Sequence, residues 1–166
     1  AIFRKGDKPL DQEYVEKFDE DLNAIESGLK NDAQKMAFRA QADRMKVSLR
    51  NAATQHASQE FRTYSISTQN GVVKSATESL ALNYTNPDIS GSVSRDGDTV
   101  RGTGEWGRLI GATAQLGFLA GRSEVEIKQD QLTAVSGAHR RIIGAAIQGE
   151  NIVGAEAWLK DHADEM

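Results

Sequence analysis

Apolar side chains recur at steps of three and four over residues 11–30. Tyr14, Val15, Phe18, Leu22, Ile25 and Leu29 fall on one face of an amphipathic helix. Asp11 is placed to cap its start, and Glu13 and Glu16 suit the positive end of the helix dipole. Gly28 and the pair Asn31-Asp32 predict a break, after which Asp32 caps a second, longer helix over about residues 33–58. The seam of that helix is Phe38, Ala42, Met45, Leu49, Ala52 and His56, a heptad pattern. It is thin, because two of its positions are alanine and one is histidine. The two helices form either a hairpin packed on the rest of their own chain or an arm whose long helix meets another copy of the protein.

From residue 61 the period drops to two. Arg62, Tyr64, Ile66 and Thr68 alternate, Asn70-Gly71 is a strong hairpin signal, and Leu80, Leu82 and Tyr84 alternate on the return. Asn86-Pro87-Asp88 reads as a turn, residues 89–94 as a short strand, Asp96-Gly97 as a second tight turn and residues 98–105 as its return. The expectation is an antiparallel meander of four strands. Residues 108–119 fit a glycine-broken helix or a long strand with Ala112, Ala114, Leu116 and Phe118 on one face. Gly111 and Gly117 here favour the strand. Residues 124–128 alternate as one more strand.

The last quarter returns to helical spacing. Asp130 is placed to cap a helix over about residues 131–147, with Leu132, Val135, His139, Ile142, Ile143 and Ala146 on one face and Gly149 at its end. A second helix follows from Glu150, with Ile152, Val153, Ala155, Trp158 and Leu159 as its apolar side. Asp161, Asp164 and Glu165 sit badly at the negative end of a helix, so the tail is expected to fray. Helices and strands are segregated, which predicts an α+β fold: an N-terminal helical hairpin or arm over residues 1–60, a central antiparallel β-meander over 61–128 and a C-terminal helical pair over 129–166, all within one compact domain.

Composition narrows the chemistry. The 166 residues include no cysteine, so disulfides, thiolate metal sites and a cysteine nucleophile are excluded. No apolar run reaches the length of a membrane span, and the first nine residues carry no apolar leader run, so a cytoplasmic location, or a virion for a viral protein, is expected. Net charge is −4, and no third of the chain is basic overall, which argues against a dedicated nucleic-acid binder. Gly102-Thr103-Gly104-Glu105-Trp106-Gly107 matches G-x-G-x-x-G, but the residues before it, Asp98-Thr99-Val100-Arg101, are too polar for the buried parallel strand that such a loop follows. The glycines are read instead as serving tight packing, and no cofactor is expected. His56 and His139 fall on apolar seams, and His162 stands among tail acids as part of a solvated helix end. No metal site and no catalytic constellation is expected.

The resulting expectation is a non-enzymatic, self-associating structural or assembly protein, a viral or phage virion component being one such setting. Its partner is itself, through Phe38, Ala42, Met45, Leu49, Ala52 and His56. The alternative is a binding module for nucleic acid or a protein partner, using arginines on helices such as Arg39, Arg44, Arg50 and the pair Arg140-Arg141, which suit an anion.

Overall fold

The computed structural model describes residues 10–166, with side chains from Gln12 onward. Residues 1–9 and the cap expected from Asp11 lie outside the described residues and side chains. The elements are α1 (Leu10–Ser27), α2 (Asp32–Asn83), α3 (Pro87–Ser90), β1 (Val93–Asp96), β2 (Thr99–Gly102), α4 (Gly104–Ala120), α5 (Glu124–Gln148) and α6 (Ile152–Asp161), closed by a 3-10 turn, Ala163–Glu165. The class is mixed helix and sheet, and it is mostly helical. The chain divides into two units, one ending at Thr63 and the other running from Tyr64 to Met166.

In the first unit α1 and the first part of α2 run antiparallel. Asp19 pairs with Lys46 at 2.6 Å, and Glu26, further along α1, pairs with Arg39, further back on α2. Asn31, not Asp32, caps α2: its side-chain oxygen accepts the Gln34 backbone N–H at 2.8 Å. Only Val15 and Ala42 are buried among the described residues of this unit.

The second unit holds the core: Ala76 and Leu80 from α2, Val100 from β2, Trp106, Leu109 and Ile110 from α4, and Val135, Ala138 and Ile142 from α5. Here the expected meander is corrected. Residues 61–83 are helix, not two strands, and Asn70-Gly71 lies inside it. Val73, Ala76 and Leu80 recur at steps of three and four against the core, and this spacing outweighs the apparent alternation. Leu80 is fully buried while Leu82, read on the same strand face, is 80% exposed. The one hairpin that forms among the described residues is β1–β2, paired antiparallel with Asp96 opposite Thr99. Its two-residue loop is therefore Gly97-Asp98, one position later than expected, with Gly97 at φ 60°.

Residues 108–119 belong to helix α4, and residues 124–128 open helix α5. Trp106, Leu109, Ile110, Thr113 and Gly117 are buried at helical spacing. The glycines that suggested a strand serve close approach instead. A Cβ on Gly117 would stand 2.6 Å from Ile127 Cγ1, so its absence lets α5 pack onto α4. The start of α5 is set by a capping box: Ser123 takes the Glu126 backbone N–H, and the Glu126 carboxylate returns to the Ser123 backbone N–H at 2.8 Å. The tail does not end as a frayed helix. It turns back through Ala163–Glu165, and Arg95 Nη1 of β1 donates to the Met166 carbonyl oxygen at 3.2 Å.

Candidate functional site

Two places collect the side chains that sequence reasoning singled out. The first is the α1–α2 hairpin. Phe38 and Ala42 line a shallow cleft against α1, together with Leu22, Arg39 and Lys46. Ala42 is buried, Phe38 and Leu49 are half-buried, and Met45, Ala52 and His56 are exposed. The seam is therefore split: part of it faces α1 of the same chain, and part is open. The Arg39 guanidinium hydrogen-bonds the Glu26 carboxyl and holds it below the usual carboxylate range, while Arg39 itself is raised.

The two ion pairs occupy one flank of the hairpin. On the other flank α1 presents Tyr14, Phe18 and Ile25, of which Tyr14 and Ile25 are each 55% exposed, and α2 presents exposed Met45. At 100° per residue, Met45 and Ala52 lie on the side of α2 away from Arg39 and Lys46. The hairpin thus has a charged, paired edge and an open apolar edge.

The second place is the buried face of α5. His139 has no exposed surface. Its ring lies 4.6 Å from the Trp106 ring, 5.9 Å from Trp158 and 5.3 Å from His162, between centroids. Trp158 also stacks on His162 at 4.0 Å and meets Tyr84 edge-on at 5.3 Å. The Trp158 indole N–H donates to His139 Nδ1 at 3.1 Å. His162 Nδ1 and the Glu165 carboxylate are 2.8 Å apart. His139 Nε2 is 3.5 Å from the same carboxylate oxygen and makes no formed hydrogen bond, so it is the one orphaned side-chain atom among the described buried groups. Burial, and then the nearby His162, push the His139 pKa down to about 4.

His139, His162 and Glu165 bring three donor atoms within 4.8 Å of one another, close enough to suggest a divalent ion. The chemistry of His139 opposes this. An indole nitrogen only donates, so Nδ1 must accept and the ring proton must sit on Nε2. A metal ligand needs a lone pair there, and ligating histidines donate from their other nitrogen, the reverse of what Trp158 enforces. The cluster is an aromatic and hydrogen-bonded lock on the C-terminal end.

Arg140 and Arg141 follow His139 but are exposed, turned away from the buried face of α5, and Arg140 Nε donates to the Ser136 carbonyl at 3.3 Å. The G-x-G-x-x-G stretch does join β2 to α4, yet a Cβ on Gly102 would meet the Trp106 backbone at 2.9 Å, and one on Gly104 the Gly91 nitrogen at 2.8 Å. These glycines are used in packing within the chain. No helix among the described residues is long and apolar enough to cross a membrane. No protein-family model, curated protein or solved structure matches the chain.

Sequence reasoning placed His139 on an apolar seam, where it lies, but treated His162 and Glu165 as solvated. The missed signal is local: Trp158 and His162 are four residues apart, one helical turn, so two rings stack on the face that α6 turns toward α5.

Proposed function

We propose that the chain is a non-enzymatic protein that works by associating with copies of itself, as a structural or assembly component. One observation carries this reading: a stripe without formal charge along α2. Gln34, Phe38, Gln41, Met45, Ser48, Ala52, His56 and Gln59 follow each other at steps of three and four, and the nine Asp, Glu, Lys and Arg residues from Asp32 to Thr63 all lie off it.

A two-helix layer encloses no core of its own, since each helix needs a second surface for its apolar stripe. The first unit buries only Val15 and Ala42 among its described residues, and it has no disulfide to compensate. In an interface between identical copies each patch can meet itself, and like charges would then face one another. A stripe with no formal charge avoids that repulsion. A partner recognised by charge would find nothing to pair with there.

Light scattering on the eluting protein at roughly tens of micromolar tests this. The expected mass is that of two or more chains. Met45→Lys changes an exposed residue, so the single chain tolerates it, but it puts a charge into the stripe and is expected to return the protein to monomer. A monomeric wild type, or an assembly indifferent to Met45→Lys, overturns the proposal.

A further inference from the structure

We propose that the C-terminal end, residues 158–166, is a clasp over α5 that opens in acid through protonation of His139. It stands apart from self-association, because every contact in it lies within the second unit.

Three contacts hold the clasp. Trp158 donates to His139 Nδ1, His162 pairs with Glu165 at 2.8 Å, and Arg95 holds the Met166 carbonyl. His139 is the only one of these groups with no exposed surface. Its two nitrogens are in different states. Nδ1 is taken by the indole, and Nε2–H faces the Glu165 oxygen at 3.5 Å, too far for a formed bond. A second proton can go only to Nδ1, where it would meet the Trp158 N–H head-on. Protonation and the Trp158 contact therefore exclude each other. Once Trp158 leaves, the imidazolium can donate from both nitrogens to water.

The groups around the ring determine the sign. From α4 it meets Trp106, which carries no charge. From the end of α6 it meets His162, which repels a proton on His139 when it is itself protonated. From the 3-10 turn it meets Glu165, whose carboxylate is already engaged by His162. From β1, Arg95 brings a fixed positive charge to Met166. A proton on Nδ1 of His139 removes the lone pair that accepts the Trp158 N–H, so acid favours opening. The depressed His139 pKa places the transition near pH 4, well inside the acid range.

Amide exchange on the full chain, read residue by residue and corrected for intrinsic rates, tests the clasp. The reporters are the His162 and Glu165 amides, which donate to the Trp158 and His162 carbonyls. Both are expected to be protected at neutral pH and to lose protection near pH 4 while amides of α4 and α5 keep theirs. Glu165→Gln keeps an acceptor without a titrating carboxylate and is expected to open as the wild type does. His139→Phe fills the slot without a titrating ring and is expected to stay closed across that range. If His139→Phe does not fold, Trp158→Phe, which leaves no indole N–H to meet a proton on Nδ1, is expected to break the link, so that the reporters no longer lose protection at the wild-type pH. The clasp is overturned if His139→Phe opens at the wild-type pH, if Trp158→Phe leaves that pH unchanged, or if the reporters lose protection only together with the core.

Discussion

The Trp158 indole N–H reaches across 3.1 Å to Nδ1 of His139 and thereby fixes the imidazole as the Nε2–H tautomer. One bond between α5 and α6 thus decides three properties of the buried ring: it is neutral, it offers no lone pair toward Glu165, and its remaining N–H lacks a formed partner.

Neutrality makes stability depend on pH. His139 has a folded-state pKa pushed down from 6.5 to about 4, first by burial and then by His162. The unfolded chain takes this proton near the ordinary value, so between the two values acid favours the unfolded state. The contribution is intact above about pH 6.5, falls as the pH drops toward 4 and levels off below that. At about 1.4 kcal/mol per pH unit, the loss is about 3 kcal/mol. Urea midpoints measured across this window in wild type and His139→Phe isolate the ring, because all other groups titrate in both. Equal acid sensitivity in the two proteins would move the effect elsewhere.

Gly91 and Gly104 meet backbone to backbone where α3 and β2 hand the chain on. Both hold positive φ, 70° and 55°. A Cβ on Gly91 would stand 2.2 Å from the Thr103 carbonyl oxygen, and one on Gly104 would stand 2.8 Å from both the Gly91 nitrogen and the Ile89 oxygen. Backbone atoms cannot rotate away as side chains do. Gly91→Ala and Gly104→Ala are each expected to cost on the order of 3 kcal/mol. Gly97→Ala shares the positive φ but has nothing within 4 Å, and only the backbone cost of about 1 kcal/mol is expected. Thermal unfolding followed by tryptophan fluorescence ranks the three.

The helical ends of the chain were legible in the sequence because their apolar residues repeat over several turns. The α1 face, the break at Gly28, the α5 face with His139 and the α6 start all follow from spacing. The middle was not, and the reason is particular. Residues 61–83 are rich in Ser, Thr and small side chains, so few apolar positions are left to separate a period of two from one of 3.6. Asn70-Gly71 then outweighed Val73, Ala76 and Leu80, which face the core. In α4, glycines that lower intrinsic helix propensity are kept because Ile127 needs the space at Gly117. The His139 cluster was only half legible. Its seam position is periodic, but the return of Glu165 is a tertiary contact with no local signature.

Ser123 carried a signal that the strand reading of residues 124–128 passed over. Ser123-x-x-Glu126 before an apolar run is a capping-box pattern, and both halves of the box form. The Ser123 hydroxyl, followed by its backbone N–H, holds the Glu126 carboxyl below its usual range. Ser123→Ala leaves the first turn of α5 with an unsatisfied backbone donor, and a loss of about 1 kcal/mol in urea unfolding is expected. Glu126→Ala removes the returning half of the box. The two side chains act on each other, so the double variant is expected to cost less than the sum of the two single ones. Strict additivity in the urea midpoints would argue against the box.

Gly71 separates the two readings of the middle of the chain. In a tight hairpin turn after Asn70 it would need positive φ, and alanine there would destabilise. In α2 it lies inside a 52-residue helix, is exposed, and a methyl group added to it would have nothing within 4 Å. Alanine then removes the entropic cost of a helical glycine without a clash, and Gly71→Ala is expected to raise stability by about 1 kcal/mol. Far-UV circular dichroism should show helix content unchanged or higher, and the urea midpoint should rise. Replacing Gly71 with Val tests the same point from the other side: a β-branched residue suits a strand and is a weaker helix former, so it should gain less than alanine. A fall in stability with Gly71→Ala would restore the turn and break α2 at that point.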